Sequence, residues 1–310
     1  MLESGGGPGP GRSGDEAICG PMIQINIDPI LIQAGPLIVS WHGFFTAVGV
    51  LAGITLAVKY GQLVGYSEDD VMSVALWGVI GGILGARLVH VIDQWGYYSQ
   101  NPLNIVKINE GGLAIYGTLI GGPLAGAIYA WRRGFSIPRL LDVGAIGLNL
   151  GMAIGRLGDI INGEHHGAPA TLPWAVTYVN PNTLGEPGVS VHLAVGYEMV
   201  MDLAIFGVLV AVFGRLPRPG MLFWLFGALY SFGRFFIQFY RVDSPFLGNL
   251  SQAQLLSFVV GAAALWALVF LYSRSRREPS AGDEEPETRT RRGRLADVAP
   301  SAVRRPPSAG

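Results

Sequence analysis

The chain has 310 residues, 50% hydrophobic and 14% charged, with mean hydropathy +0.40 and a formal net charge of −1. A soluble domain carries about 25% charged residues, so this composition excludes a soluble globule of this length, and the near-neutral balance excludes the basic field that nucleic acid requires. Cys19 is the only cysteine, which excludes a disulfide within the chain and a four-cysteine zinc site.

Residues 1–22 are rich in Gly, Pro and Ser, with no apolar run behind a basic start. They read as a disordered segment rather than a cleaved leader, and Cys19 within it is expected to be inert. Residues 23–32 partly alternate and contain Pro29, which suits a short segment at the membrane surface. Apolar runs near the 20 residues that span a bilayer then follow one another. The first covers about 37–60. The second follows Ser67-Glu68-Asp69-Asp70, an N-cap with acids in the first turn, and reaches about Ile92. The third runs from Gly111-Gly112 to Trp131-Arg132-Arg133, and the fourth from Pro138-Arg139 to about Ile161. A polar stretch, 162–195, is long enough to hold structure of its own. The fifth run is 196–213, the sixth goes from Pro219-Gly220 to Tyr240, and the seventh is 251–272. Beyond Arg274 the chain is Arg/Glu/Pro/Ser-rich and reads as disordered. The expectation is an all-α polytopic membrane protein with a seven-helix domain over 23–273, a periplasmic loop region between spans four and five, and a cytoplasmic tail over 274–310.

Loop charges orient these spans. Lys59, Arg132, Arg133, Arg139, Arg215, Arg218, Arg274, Arg276 and Arg277 all fall on one side of a seven-span chain, while the opposite loops hold Lys107 and Arg241. The N-terminus is expected outside and the C-terminus in the cytoplasm. Glycines at spacing four, such as Gly78, Gly82, Gly117 and Gly121, predict close helix packing.

Charges inside spans are expensive and call for a reason. Arg87 lies in the second span. Arg156 is three residues before Asp159, on one helix face, with Asn162 and Glu164 following at the outer end. Arg234 and Gln238 are four apart in the sixth span, and Arg241 is one turn on. An Arg–Asp pair closing a helix end and an Arg241 that snorkels to the interface are the plain alternatives. Several guanidiniums facing one cavity suit a phosphate, and the abundant phosphate of a membrane is a lipid head group. His165-His166 beside Glu164 lack the spacing of known zinc sites, so no metal is expected.

At these residues the chain resembles the prolipoprotein diacylglyceryl transferase family, over about 27–272. Its signature, Gly-Arg-x-Gly/Ala-Asn-Phe-x-Asn-x-Glu-x-x-Gly, is largely met by Gly155 to Gly167. Ile27-Asp28-Pro29, Gly35-Pro36, Trp41-His42-Gly43, Glu110-Gly111-Gly112-Leu113 to Tyr116-Gly117, His192 with Tyr197-Glu198, and Arg234-Phe235 to Arg241 and Asp243 carry the rest. The chain departs from the usual pattern at Asp159 (Asn), His42 (Tyr), Tyr116 (His) and Gln238 (Glu). One account of the departures is an exchange in which His42 and Tyr116 face the same cavity.

The resemblance implies transfer of the diacylglyceryl group of phosphatidylglycerol to the lipobox cysteine of prolipoprotein signal peptides, releasing glycerol-1-phosphate, in the bacterial inner membrane. It implies no cofactor and no nucleic acid, with the lipid bilayer as partner. Arg156 and Arg234 would stabilise the departing phosphate, and Glu164, His42 or Tyr116 would deprotonate the thiol. Asp159, Asn162, Gly167, Gln238 and Arg241 would bind phosphatidylglycerol with the two arginines. An anionic-lipid transporter or flippase, and an inactive lipid-binding relative, are the competing readings. No internal repeat of the transporter kind is visible.

Overall fold

The computed structural model describes residues 23–35, 37–107 and 111–277. The expectations for the two terminal segments, 1–22 and 278–310, and for Glu110 fall outside these residues.

Among the described residues there are eight α-helices: α1 Trp41–Leu63, α2 Glu68–Asp93, the short α3 Trp95–Tyr98, α4 Ile115–Arg132, α5 Ile137–Asn162, α6 Ala194–Val212, α7 Met221–Ile237 and α8 Gln252–Arg277. Six are long and apolar enough to cross a membrane, namely α1, α2, α5, α6, α8 and α7 extended by a 3-10 turn to Tyr240. The seventh expected span, α4, is 18 residues with Gly117, Gly121, Gly122, Gly126 and Pro123 inside it, and does not meet that measure. Glycine lowers its hydropathy because a bare backbone carries no apolar side chain.

The expected helical membrane class stands, with short strands added to it. Seven short strands form three small sheets among the described residues: β1 Ile23–Ile25, β2 Ile30–Ala34, β3 Leu37–Ser40, β4 Val176–Tyr178, β5 Ser190–Val191, β6 Pro245–Leu247 and β7 Leu250–Ser251. The first span therefore begins at Trp41 rather than Leu37. Residues 37–40 pair antiparallel with β2, the turn being made at Gly35 with φ +60°, and Ser40 Oγ caps α1 by accepting from Gly43 N at 3.1 Å. The polar stretch after α5 does hold structure: β1 lies parallel to β4, and β4 antiparallel to β5. Their buried Val176, Tyr178 and Val191 form a small core. At the other end of the chain α8 continues to Arg277, through the basic residues at which the tail was expected to begin.

Two helix pairs touch backbone to backbone. A Cβ on Gly49 would stand 2.5 Å from Gly151 O, and one on Gly53 2.6 Å from Gly147 O, so α1 lies against α5 with nothing between. Gly81 and Gly85 of α2 meet Gly117 and Gly121 of α4 in the same way. In lipid, where apolar burial gives helices little reason to associate, such contact supplies dispersion energy. A larger side-chain core, Ala145, Ile146, Ile205, Leu209, Leu222 and Phe226, joins α5, α6 and α7.

Candidate functional site

The site lies where the C-terminal ends of α5 and α7 meet the N-terminal end of α6, beside the β1–β4–β5 sheet. Its centre is Glu198, in the second turn of α6 and fully buried. Arg156 Nη2 of α5 is 2.6 Å from its Oε2. Arg234 Nη1 of α7 donates to Oε1, and Arg241 Nη1 lies 3.4 Å from the same oxygen. The side chains of the three arginines are 21%, 17% and 9% exposed. A guanidinium has more N–H donors than a shared carboxylate can fill. Positive charge therefore collects around one buried anion, and burial together with the Arg234 guanidinium holds Arg241 below the usual arginine range.

Arg156 also donates through Nη1 to Asp159 Oδ2 at 2.9 Å, the expected pairing across one helical turn. The other oxygen, Asp159 Oδ1, accepts from His42 Nδ1 at 2.6 Å. Glu164 Oε2 stands 3.8 Å from that ring nitrogen. Glycine makes this meeting possible: a Cβ on Gly158 would lie 2.6 Å from His42 Cα. Gly163 then ends α5 in the left-handed region at φ 78°, turning the chain so that Glu164 comes back over α1. Glu164 accordingly faces His42, and Arg156 takes Asp159 and Glu198 as partners.

Asn162 is buried, and its carbonyl accepts from Leu184 N at 2.9 Å and Thr183 Oγ1 at 3.3 Å. Tyr178 donates to Ile160 O at 3.0 Å, its phenol pushed up to about 12 by burial. Together these bonds fix the sheet on the end of α5. Gly167 is buried and pairs with Arg241 in an isolated β-bridge. Gln238 is buried, donates to Asp243, and with Arg241, Asp243, Asn249, Ser251 and Gln254 lines a polar cavity of about 310 Å³. One turn below Glu198, Asp202 accepts weakly from Asn149 at 3.4 Å, both fully buried.

Structure thus joins Arg156, Arg234, Arg241, Asp159, His42 and Glu164 in one network, with Asn162, Gly167 and Gln238 supporting it. Tyr116, in the first turn of α4, is 47% exposed, and no hydrogen bond links it to His42 among the described residues. Arg87 stands apart: its guanidinium donates to the carbonyls of Asn104, Ile105, Lys107, Gly111 and Gly112 at 2.5–3.2 Å and lies 5.2 Å from the Tyr98 ring. Glu198, read in the sequence only as part of the Tyr197-Glu198 match, was not assigned to the site there. An acid inside an apolar span, four residues from Asp202, was the signal.

His42, Asp159 and Glu164 bring ligand-type atoms within 4.8 Å of one another. With Asp159 Oδ1 on His42 and Oδ2 on Arg156, the group is a hydrogen-bonded chain rather than a ligand set. What the arrangement can do is hold an anion against the fixed guanidiniums, beside an imidazole whose outer face is open.

A sequence profile described as prolipoprotein diacylglyceryl transferase matches residues 29–270. Among curated relatives, three proteins named phosphatidylglycerol–prolipoprotein diacylglyceryl transferase are similar over most of both chains. That of Clostridioides difficile is 37% identical over 242 residues, 78% of this chain and 94% of the relative. That of a Nostoc species is 37% identical over 260 residues, 81% and 92%. That of Bacillus mycoides is 38% identical over 254 residues, 81% and 93%. On the span of these matches, the chain belongs to the prolipoprotein diacylglyceryl transferase family.

Proposed function

We propose that this multi-pass membrane protein is a transferase that moves the diacylglyceryl group of phosphatidylglycerol onto the lipobox cysteine of prolipoproteins, releasing glycerol-1-phosphate. The observation that carries the reading is the convergence of Arg156, Arg234 and Arg241 on one buried carboxylate. Phosphate departs as an anion. Charges fixed beforehand, in a site poor in water, stabilise that departure more than they stabilise the bound lipid. Arg156 and Arg234 take this role. Arg241, Asp159, Asn162, Gly167 and Gln238 shape the head-group site around them. The thiol must ionise before attack, and Glu164, His42 and Tyr116 are the candidate bases.

In this reading α4 is a seventh span, sheltered by its glycine contact with α2. The N-terminus then lies outside and the C-terminus in the cytoplasm, in the bacterial inner membrane. The loop arginines support this orientation, because cytoplasmic loops carry the excess of Lys and Arg. A reporter active only outside the cytoplasm, fused after Asn180, tests it: a signal is expected, and silence there overturns the topology.

The deciding experiment for the function incubates the purified protein with phosphatidylglycerol and a cysteine-bearing precursor peptide. A mass gain of one diacylglyceryl group on the peptide is expected, and an unmodified peptide overturns the reading.

A further inference from the structure

The side chains of His42 on α1 and Asp159 on α5 touch each other. Asp159 Oδ1 and His42 Nδ1 are 2.6 Å apart. A carboxylate only accepts, so Nδ1 carries the proton and Nε2 keeps its lone pair in the neutral ring. The carboxylate cannot swing away, because its other oxygen is held by Arg156 at 2.9 Å and its side chain is 5% exposed. The imidazole is fixed at one edge and 45% exposed, and Nε2 has no hydrogen-bond partner among the described residues. Glu164, at 3.8 Å from Nδ1, is beyond hydrogen-bond range. It does not compete with Asp159 for the ring. Tyr116 has no comparable partner among the described residues.

We infer that His42 and Asp159 form a proton-accepting dyad in which His42 Nε2 is the base for the cysteine thiol and Asp159 is its positioning residue. This inference deepens the transferase reading and rests on it. The thiol proton passes to Nε2. The sulfur electron pair forms the S–C bond at the glycerol carbon that bears phosphate. The C–O bond breaks, and its electron pair leaves on the phosphate oxygen against Arg156 and Arg234. The imidazolium then returns its proton to the departing phosphate or to water. The chain His42–Asp159–Arg156–Glu198 thus ties the base to the anion site through two direct contacts on one guanidinium.

The test compares a cysteine precursor peptide with one carrying selenocysteine, whose selenol is already ionised at neutral pH and needs no base. Full-length wild-type protein is expected to modify both. His42→Ala is expected to lose about 10³-fold in turnover on the thiol peptide, and Asp159→Asn about 10²-fold, since loss of the carboxylate still leaves an imidazole, both within the range that a positioned general base contributes. Most of either loss should vanish on the selenol peptide, which a merely structural defect would not allow. His42→Gln serves as the second variant, with folding followed by thermal unfolding in detergent. A His42 variant that transfers to the thiol peptide at the wild-type rate overturns the dyad, as does a folded one equally impaired on both peptides. Wild-type protein that modifies neither peptide removes the transferase reading itself, and the dyad with it.

Discussion

Arg87, buried in α2, and the half-buried Arg156–Arg234–Arg241 group are both guanidiniums in or just beyond apolar helices, yet their surroundings are opposite. Arg87 has five backbone carbonyls from residues 104–112 around it. Its donors are spent, and it closes a connection between α2 and α4. The other three share Glu198, so donor capacity is left over. An arginine within a span is often a sign of function. Here the inventory of acceptors separates a guanidinium that holds structure from those that can hold a ligand.

The largest expected effects follow from that surplus. Arg156→Ala or Arg234→Ala should reduce transfer by about 10³-fold, the scale seen when one transition-state donor is removed, while the protein still inserts. Turnover of purified variants on phosphatidylglycerol checks this, and retained transfer in either variant removes that arginine from the mechanism. Lysine should not rescue, because a point ammonium cannot reproduce a planar fork.

Glu198→Gln attacks the same group from its centre. Without the buried carboxylate three half-buried guanidiniums repel one another. Breaking a buried ion pair by losing one partner costs about 3–5 kcal/mol. Thermal unfolding in detergent should show that loss, and an unchanged midpoint would mean that Glu198 does not neutralise the cluster.

Arg87→Ala should behave differently. Five carbonyls lose their donor, a loss of about 3 kcal/mol spread over the loop. The backbone at 104–107 and 111–112 should become protease-sensitive, with transfer reduced far less than in Arg156→Ala. If transfer vanished while the loop stayed protected, the distinction between the two kinds of arginine would collapse.

Much of this was legible in the sequence. Apolar runs placed α1, α2, α5, α6, α7 and α8, because about 20 residues of hydrocarbon-soluble helix are needed to span a bilayer. The spacing of Arg156 and Asp159 gave their ion pair, because three residues is nearly one turn. The strand at 37–40 was not legible, since Leu-Ile-Val continues directly into the apolar helix and hydropathy does not distinguish the two. Nor were the partners that come from far along the chain. His42 meets Asp159 across 117 residues, and Arg156 meets Glu198 on another helix. Such meetings depend on how α1, α5 and α6 cross, which glycines such as Gly49, Gly151 and Gly158 set by removing a side chain from the contact.

Gly167 supplies the smallest expected effect and the finest test of the comparison. Arg87 uses its side chain to hold backbone; Arg241 has its backbone held so that its side chain is free to reach Glu198. The holding is done by the bridge from Gly167 to Arg241 and by Ala168 N, which donates to Tyr240 O at 2.8 Å. A Cβ on Gly167 would lie 2.5 Å from Tyr240 O and 2.5 Å from His192 Cβ, so Gly167→Ala must push this strand away from residues 240–241. Overpacking of this kind costs about 1–3 kcal/mol. Transfer should fall by about tenfold, chiefly as a higher KM for phosphatidylglycerol, while the Arg156 and Arg234 contacts to Glu198 persist. A drop in kcat as deep as that of Arg234→Ala would instead place residue 167 against the reacting lipid.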